Sequence, residues 1–342
     1  LPFDELGDLQ AKAADADLDV LVGFYTRENV MRYAALADAI GIPLVVQECT
    51  NPDRARFNNW RLAKVSRSRA SWEREIVTAA ATRLRLVMPG YADSFAAFQQ
   101  PQIHAMPNSC PKVDVRACPD QSLDGRWRIL LVNGFKDNKN LVDAVAAFAR
   151  LALQHPDWVL RVVGKAPSWE APHAKQVAEI LDENALWERF EIAEATDDIA
   201  AEYCGTHIHL IASLSEGCPT VVLEAMAAGL PSVGFEDCPG TNELIRHEEN
   251  GLLARADDRV AGLAGALARL MADPEWRATL GRQAGQDAAD FDPCHTYDQW
   301  EQLLTEAAGY RDNPDRLFRE QYGLDPERAL HARRMRHKIL ET

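Results

Sequence analysis

Two carboxylates, Glu216 and Glu224, sit seven residues apart in the stretch SLSEGCPTVVLEAMAAGLP (213–231). An ionised carboxylate can accept two hydrogen bonds at once, which suits the edge of a vicinal diol such as a ribose or a hexose. Pro219 fits the first position of a helix, Gly229 its C-terminal cap, and Pro231 forbids continuation. A helix starting there presents backbone N–H groups around Cys218 to Val221, with Pro219 contributing none and Gly217 providing the turn into it. An anion cradle flanked by two diol acceptors is what a phosphate-linked sugar requires. Either glutamate alone reads more readily as a surface group stabilised by the helix dipole. The combination of Glu216, Gly217, Pro219, Glu224, Ala225, Gly229 and Pro231 is far more specific than a lone glycine loop.

The elements that must carry this segment alternate along most of the chain. Strand-like runs are expected at 19–25, 42–48, 127–135, 158–165, 208–213 and 230–235, with helical stretches between them. Continuous apolar strands separated by helices predict parallel sheets covered on both faces, hence doubly wound α/β units. The 342 residues favour two such domains. Residues 1–107 form the first, with only two clear strands and so an incomplete appearance. The Pro-, Asp- and Ser-rich stretch 108–124 reads as a linker, 125–300 as the second domain, and the charged segment 301–342 as a helical tail.

Bulk charge narrows the partners. A net charge of −15, from 52 acidic and 37 basic residues, argues against a nucleic-acid backbone, whose binders carry a basic excess. The seven cysteines are irregularly spaced and form no C-x-x-C pair, so reduced thiols are expected over a disulfide framework or structural zinc. An acidic N-terminus without a signal-like apolar run and no apolar stretch of membrane-spanning length point to a cytoplasmic protein. One basic island with interleaved aromatics, 54–75, could touch an anionic membrane surface at its inner face, or form a solvated helix face paired with acids. Oligomeric state is not legible.

Three further features could be metal or nucleophile sites. His207 and His209 share strand spacing without a third ligand, so packing is the expected role and no metal is assigned. Asp15, Asp17 and Asp19 form a D-x-D pattern but precede a strand, which favours a solvated helix end. Cys218 at a helix N-terminus is a candidate for a lowered thiol pKa and for alkylation that bound nucleotide would slow.

The motif EGCPTVVLEAMAAGLP resembles the E-G-x-P-x-x-x-x-E-A-x-A-x-G-x-P signature of the retaining GT-B glycosyltransferases, glycosyl transferases group 1 (family 4). The resemblance extends to PGTNELIRHEENGLL (239–253), with Gly240 and Glu243 in matching positions, to NGFKDNKNLVDAV (133–145), and to LRVVGKAP (160–167). It covers about 125–305 well and 19–107 weakly, the latter mainly through MPN (106–108). It implies a GT-B fold of two Rossmann-like domains facing a cleft. It also implies a donor site of Gly134, Lys139, Gly164, Glu216, Gly217, Cys218, Pro219, Thr220, Val221 and Glu224, with Lys139 and Glu216 carrying the chemistry. Glu216 would meet donor-sugar hydroxyls, Glu224 the ribose, and Lys139 the diphosphate. Departures are Gly134 where the family commonly has Arg, and Cys49 where it often has His, so no catalytic His is carried over. The family's glycine-rich first strand–loop is not visible either, as expected of a chain that begins inside that domain or a subfamily that has lost it.

The function implied is metal-independent, retaining transfer of a sugar from a nucleoside-diphosphate donor to a glycan, lipid-linked or small-molecule acceptor, as in polysaccharide biosynthesis. No cofactor is called for, because the nucleotide sugar is itself a substrate. A nucleotide-sugar epimerase on the same architecture, or a non-catalytic partner subunit, are the alternatives.

Overall fold

Parallel strands and their crossover helices account for both halves of the chain in a computed structural model. It describes residues 16–24, 30–51, 77–110, 113, 116–122, 124–132 and 137–311, and isolated stretches between 319 and 331. Gly134 and the basic island 54–75 lie outside these residues. Two compact units are formed, one from 1–107 with 296–342 and the other from 108–295.

Among the described residues the first unit is built on four parallel strands in sequential order, β1 (Leu21–Phe24), β2 (Leu44–Glu48), β3 (Arg83–Leu86) and β4 (Ile103–Ala105). Helix α1 (Val30–Ile40) joins the first two. Two of the four strands escaped the sequence reading because β3 reads RLRL, with arginines where a buried strand is expected to be apolar. The chain satisfies them from far away. Arg85, only 3% exposed, donates from Nη2 to Pro107 O (3.1 Å), and its guanidinium lies 5.3 Å from the Trp300 ring. Arg83 donates to Tyr310 Oη (3.2 Å) and pairs with Glu306 (3.5 Å).

Those partners sit on or beside helix α9 (Pro293–Ala308), whose Leu303 and Ala307 pack with Val45 and Met106. The described residues after 295 therefore complete the N-terminal unit instead of standing apart as a tail. Asp17 and Asp19 are paired there as well, both with Arg311, in the turn leading to β1. That pairing accounts for two members of the D-x-D run; Asp15 lies outside the described residues.

The described residues of the second unit form six parallel strands in the order β10-β9-β8-β5-β6-β7. They are β5 (Trp127–Val132), β6 (Trp158–Val163), β7 (Phe190–Ala193), β8 (Ile208–Leu210), β9 (Ser232–Phe235) and β10 (Gly251–Ala254). The chain starts in the middle, winds outward through β6 and β7, then returns to place β8 on the other side of β5. The crossovers are α2 (Leu141–Ala152), α3 (Pro172–Glu183), α4 (Ile199–Cys204), α5 (Thr220–Ala227) and α6 (Thr241–Leu244). Helices α7 (Arg259–Ala272) and α8 (Pro274–Asp287) follow. In α2 the buried residues Leu141, Ala144, Val145, Phe148, Leu151 and Ala152 recur at helical spacing and join the core formed by Ile129, Leu131, Leu160 and Val162.

The stretch 108–124 is not a free linker. Its described residues run along the second unit, with Cys110 N donating to Phe291 O (2.7 Å) and Ala117 N to Ala228 O (2.9 Å). Pro119 O accepts from the buried Arg277 Nε (2.6 Å). Proline and aspartate preclude regular structure there, and hydrogen bonds to neighbouring elements hold the backbone in its place. Among the described residues no helix is long and apolar enough to cross a membrane.

Candidate functional site

In a doubly wound sheet the crevice for a ligand opens at the carboxyl ends of the strands where the strand order reverses. Here that point lies between β5 and β8, adjacent strands whose crossovers leave in opposite directions. The loops after these two strands carry Lys139 and Glu216.

Lys139 ends a short 3-10 turn, Asp137–Lys139, directly before α2. Asn140 then adopts a left-handed conformation (φ 51°), its side chain donating to Asp143 Oδ2 (2.7 Å). Leu214 N donates to Asn138 O (3.1 Å), which ties the two loops together, and Glu216 N donates to Pro239 O (3.2 Å) in the loop after β9. The result is an ion pair, Lys139 Nζ to Glu216 Oε1 at 2.5 Å, with both side chains mostly shielded from solvent.

Helix α5 follows. Pro219 is its N-cap, one position earlier than the spacing predicted, and no side chain caps the first turn. The helix start thus offers the N–H groups of Thr220 and Val221 to a ligand, while Val222 N already donates to Pro219 O (3.0 Å), and Thr220 is exposed beside them. At the other end Gly229 is left-handed (φ +80°), Leu230 N donates to Ala225 O (2.9 Å), and Gly229 N donates to Met226 O (2.9 Å). This pair of bonds is a Schellman motif, which ends the helix where the glycine allows it. Gly281 of α8 crosses so close that a Cβ there would stand 2.2 Å from Gly229 O. The C-terminal end of the eight-residue helix is therefore fixed.

Glu224 lies half-buried one turn into α5. Burial pushes its carboxyl pKa up, while the hydrogen bond from Tyr203 Oη to Oε2 (2.8 Å) pulls it down. Tyr203, fully buried on α4, was not singled out in the sequence. A lone Tyr in the short helix IAAEYC carries no motif, and only an unusual polar-tipped aromatic in an otherwise small-residue helix marks it. Cys110 is a second neighbour: its Sγ donates to Leu223 O (3.1 Å), and burial, then the charge of Glu224, push the thiol up to about 11.

Other predicted residues are placed differently. Cys218 is buried (7% exposed), and its carbonyl accepts from Asn108 Nδ2 (3.2 Å), so a shielded thiol replaces the exposed nucleophile expected at a helix start. Gly217 lies between it and Glu216 in the same loop. Gly164 N donates to Ala193 O (2.9 Å), on the side of β6 away from β8, and is not drawn into the Lys139–Glu216 pair. Gly240, left-handed at φ +80°, caps α6, which carries Glu243 in its first turn.

The two histidines are built into the packing. His207 Nδ1 accepts from Arg128 N (2.9 Å) and its ring lies edge-on to Trp127 at 4.7 Å. His209, wholly buried, meets Ser232 Oγ at 2.9 Å. Burial lowers both, to about 4 for His207 and about 3 for His209.

Residues 126–273 match the family model for glycosyl transferases group 1. The chain is 31% identical over 218 residues to an exopolysaccharide phosphotransferase of Streptomyces coelicolor, covering 64% of this chain and 22% of that protein. It is 23% identical over 307 residues to an alpha-1,4-N-acetyl-D-galactosaminyltransferase of Campylobacter jejuni, covering 89% and 79% of the two chains. The fold is similar to the crystal structure of HepE from Anabaena in complex with UDP, with a TM-score of 0.72 at 16% identity over 88% of this chain and 82% of that one. Residues 126–273 thus form a glycosyl transferases group 1 domain, and the chain that carries it has the fold of the GT-B glycosyltransferases.

Proposed function

We propose that the chain transfers a sugar from a nucleoside-diphosphate donor to an acceptor hydroxyl with retention of configuration. The observation that carries this reading is the Lys139–Glu216 pair beside the uncapped start of α5, at the reversal of strand order. In this reading the bond from the anomeric carbon to the diphosphate oxygen breaks, and the diphosphate leaves with the electron pair. Lys139 and the first N–H groups of α5 meet the growing negative charge. The acceptor oxygen bonds the anomeric carbon from the face the leaving group vacates, and its proton passes to the departing diphosphate oxygen on that same face. Glu216 holds donor-sugar hydroxyls and Glu224 the ribose.

The N-terminal unit is assigned the acceptor, as a glycan, lipid-linked or small-molecule hydroxyl, and a resident cofactor has no part in this scheme. The solved neighbour with UDP supports a diphosphate ligand, and the galactosaminyltransferase relative, named for a PP-undecaprenol-linked glycan, supports a membrane-associated acceptor. A cytoplasmic setting with 54–75 at the membrane surface fits that acceptor.

The test is a thermal-shift screen with UDP, GDP, ADP and TDP, followed by incubation with the matching nucleotide sugars and an NMR assignment of the product anomer. Stabilisation by one nucleotide and an α product from an α donor are expected. Lack of stabilisation by all four sinks the donor site. Binding without turnover points to a non-catalytic subunit, and a changed sugar still on its nucleotide points to an epimerase.

A further inference from the structure

We propose that Tyr203 is a positioning residue for the donor nucleotide: its hydroxyl holds one oxygen of Glu224 so that the other faces the ribose. The inference rests on the reading of Glu224 as the ribose acceptor and adds a residue that neither the motif nor the family resemblance supplies.

Geometry carries it. Tyr203 Oη lies 2.8 Å from Glu224 Oε2 and 3.2 Å from Val221 O, so a single hydroxyl spans the first turn of α5 and the carboxylate one turn on. A hydroxyl has one proton, and a charged carboxylate is a stronger acceptor than a helix carbonyl that also serves its own ladder. Tyr203 thus takes Oε2 and leaves Oε1 to a ligand.

The tyrosine itself is held rigidly. It is fully buried with Leu130, Val163, Ala225, Ala228 and Leu230, and its ring lies 6.2 Å from that of His209. Helix α4 that carries it is capped by Asp198, whose side chain accepts from Ala201 N (3.2 Å). Cys110 faces the same carboxylate as a neutral thiol and so adds no repelling charge. A glutamate loses much side-chain entropy when fixed by a ligand; a preformed bond from a buried partner removes part of that cost before binding.

The experiment measures affinity of the full chain for UDP, GDP and ADP, each beside its 2′,3′-dideoxy counterpart, by calorimetry. Wild type, Tyr203→Phe, Glu224→Ala and the double variant are compared, with melting temperatures taken alongside. Wild type is expected to prefer one ribose form over its dideoxy analogue, and Tyr203→Phe to reduce that preference by about tenfold while dideoxy affinity holds. In the Glu224→Ala background the same change is expected to do nothing further, since the two act as one unit. An unchanged preference in Tyr203→Phe, or full additivity with Glu224→Ala, overturns the proposal while leaving the donor site standing. A wild type that binds all forms equally removes the ribose role of Glu224 and this proposal with it; a wild type that binds none of the six overturns the donor site as well.

Discussion

Lys139 and Glu216, 77 residues apart in sequence, meet at 2.5 Å across the two strands where the sheet changes direction. The cation proposed for the diphosphate is therefore held by the carboxylate proposed for the sugar. A donor that engages both must replace their mutual contact with two of its own, so the pair couples recognition of the two halves of one substrate. Coupling of this kind favours the complete nucleotide sugar over either fragment.

Glu216→Gln separates those roles. With the charge removed, Lys139 is released toward a phosphate, so affinity for the nucleoside diphosphate is expected to hold or rise severalfold. Turnover of the nucleotide sugar is expected to fall by about a hundredfold or more. Lys139→Ala is expected to lower both. Calorimetry with the diphosphate and an initial-rate assay with the sugar donor decide the matter, and parallel loss of both quantities in Glu216→Gln would falsify the division of labour.

Thiol accessibility offers a direct check on the site's packing. Cys49, Cys118 and Cys294 are exposed, although burial raises the Cys49 thiol pKa, whereas Cys110, Cys218 and Cys238 are buried. Burial also pushes Cys110 and Cys238 up to about 11, which leaves little thiolate near neutral pH. Timed alkylation with iodoacetamide and peptide mapping is expected to label Cys118 and Cys294 first, and Cys218 only on unfolding. Rapid labelling of Cys218 in the native chain would contradict the packed loop.

Arg277 is wholly buried, with its guanidinium 4.6 Å from the ring of Trp127 and 5.1 Å from that of Trp158. Pro119 O and Leu270 O accept from it at 2.6 and 2.5 Å. Burial lowers its pKa to about 10, so it remains charged at neutral pH. Removing it leaves two carbonyls unpaired and a cavity between indoles. Arg277→Ala is expected to cost roughly 3 kcal/mol or more, read as a fall of about 6–12 °C in the melting temperature. A shift under about 2 °C would show that the residue adds little.

Acid should weaken the second unit through its histidines. Folded His207 and His209 stay neutral down to about 4 and about 3, against an ordinary imidazole value of 6.5. Between those limits the unfolded chain binds protons that the folded chain refuses. Their contribution is present in full above pH 6.5 and is lost as pH falls, through about 4 for His207 and about 3 for His209. The melting temperature is expected to drop over that window, and His209→Leu, which removes one titrating group, to flatten the slope. A slope identical to that of the wild type would count against a buried neutral His209.

Much of the second unit is legible along the chain because its causes are local. Pro219, Gly229 and Pro231 set the limits of α5 within a residue, since a fixed φ, a left-handed φ and a missing N–H act where they stand. Apolar runs such as ILLV mark β5 because a strand covered on both faces has no polar side to show. The same logic failed for β3. Its arginines look like surface residues until Glu306, Tyr310, Trp300 and Pro107 are brought to them, three of these from a helical segment more than 200 positions away.

The candidate site divides along the same line. The residue types of the donor motif and their helix grammar belong to the sequence, which also determined that the sheets are parallel and the helices lie between them. Tertiary structure alone decided that Lys139 pairs with Glu216, that Tyr203 supports Glu224, and that Cys218 is packed inward. Those are contacts between elements separated by crossovers, and their distances follow from strand order, which no local spacing encodes.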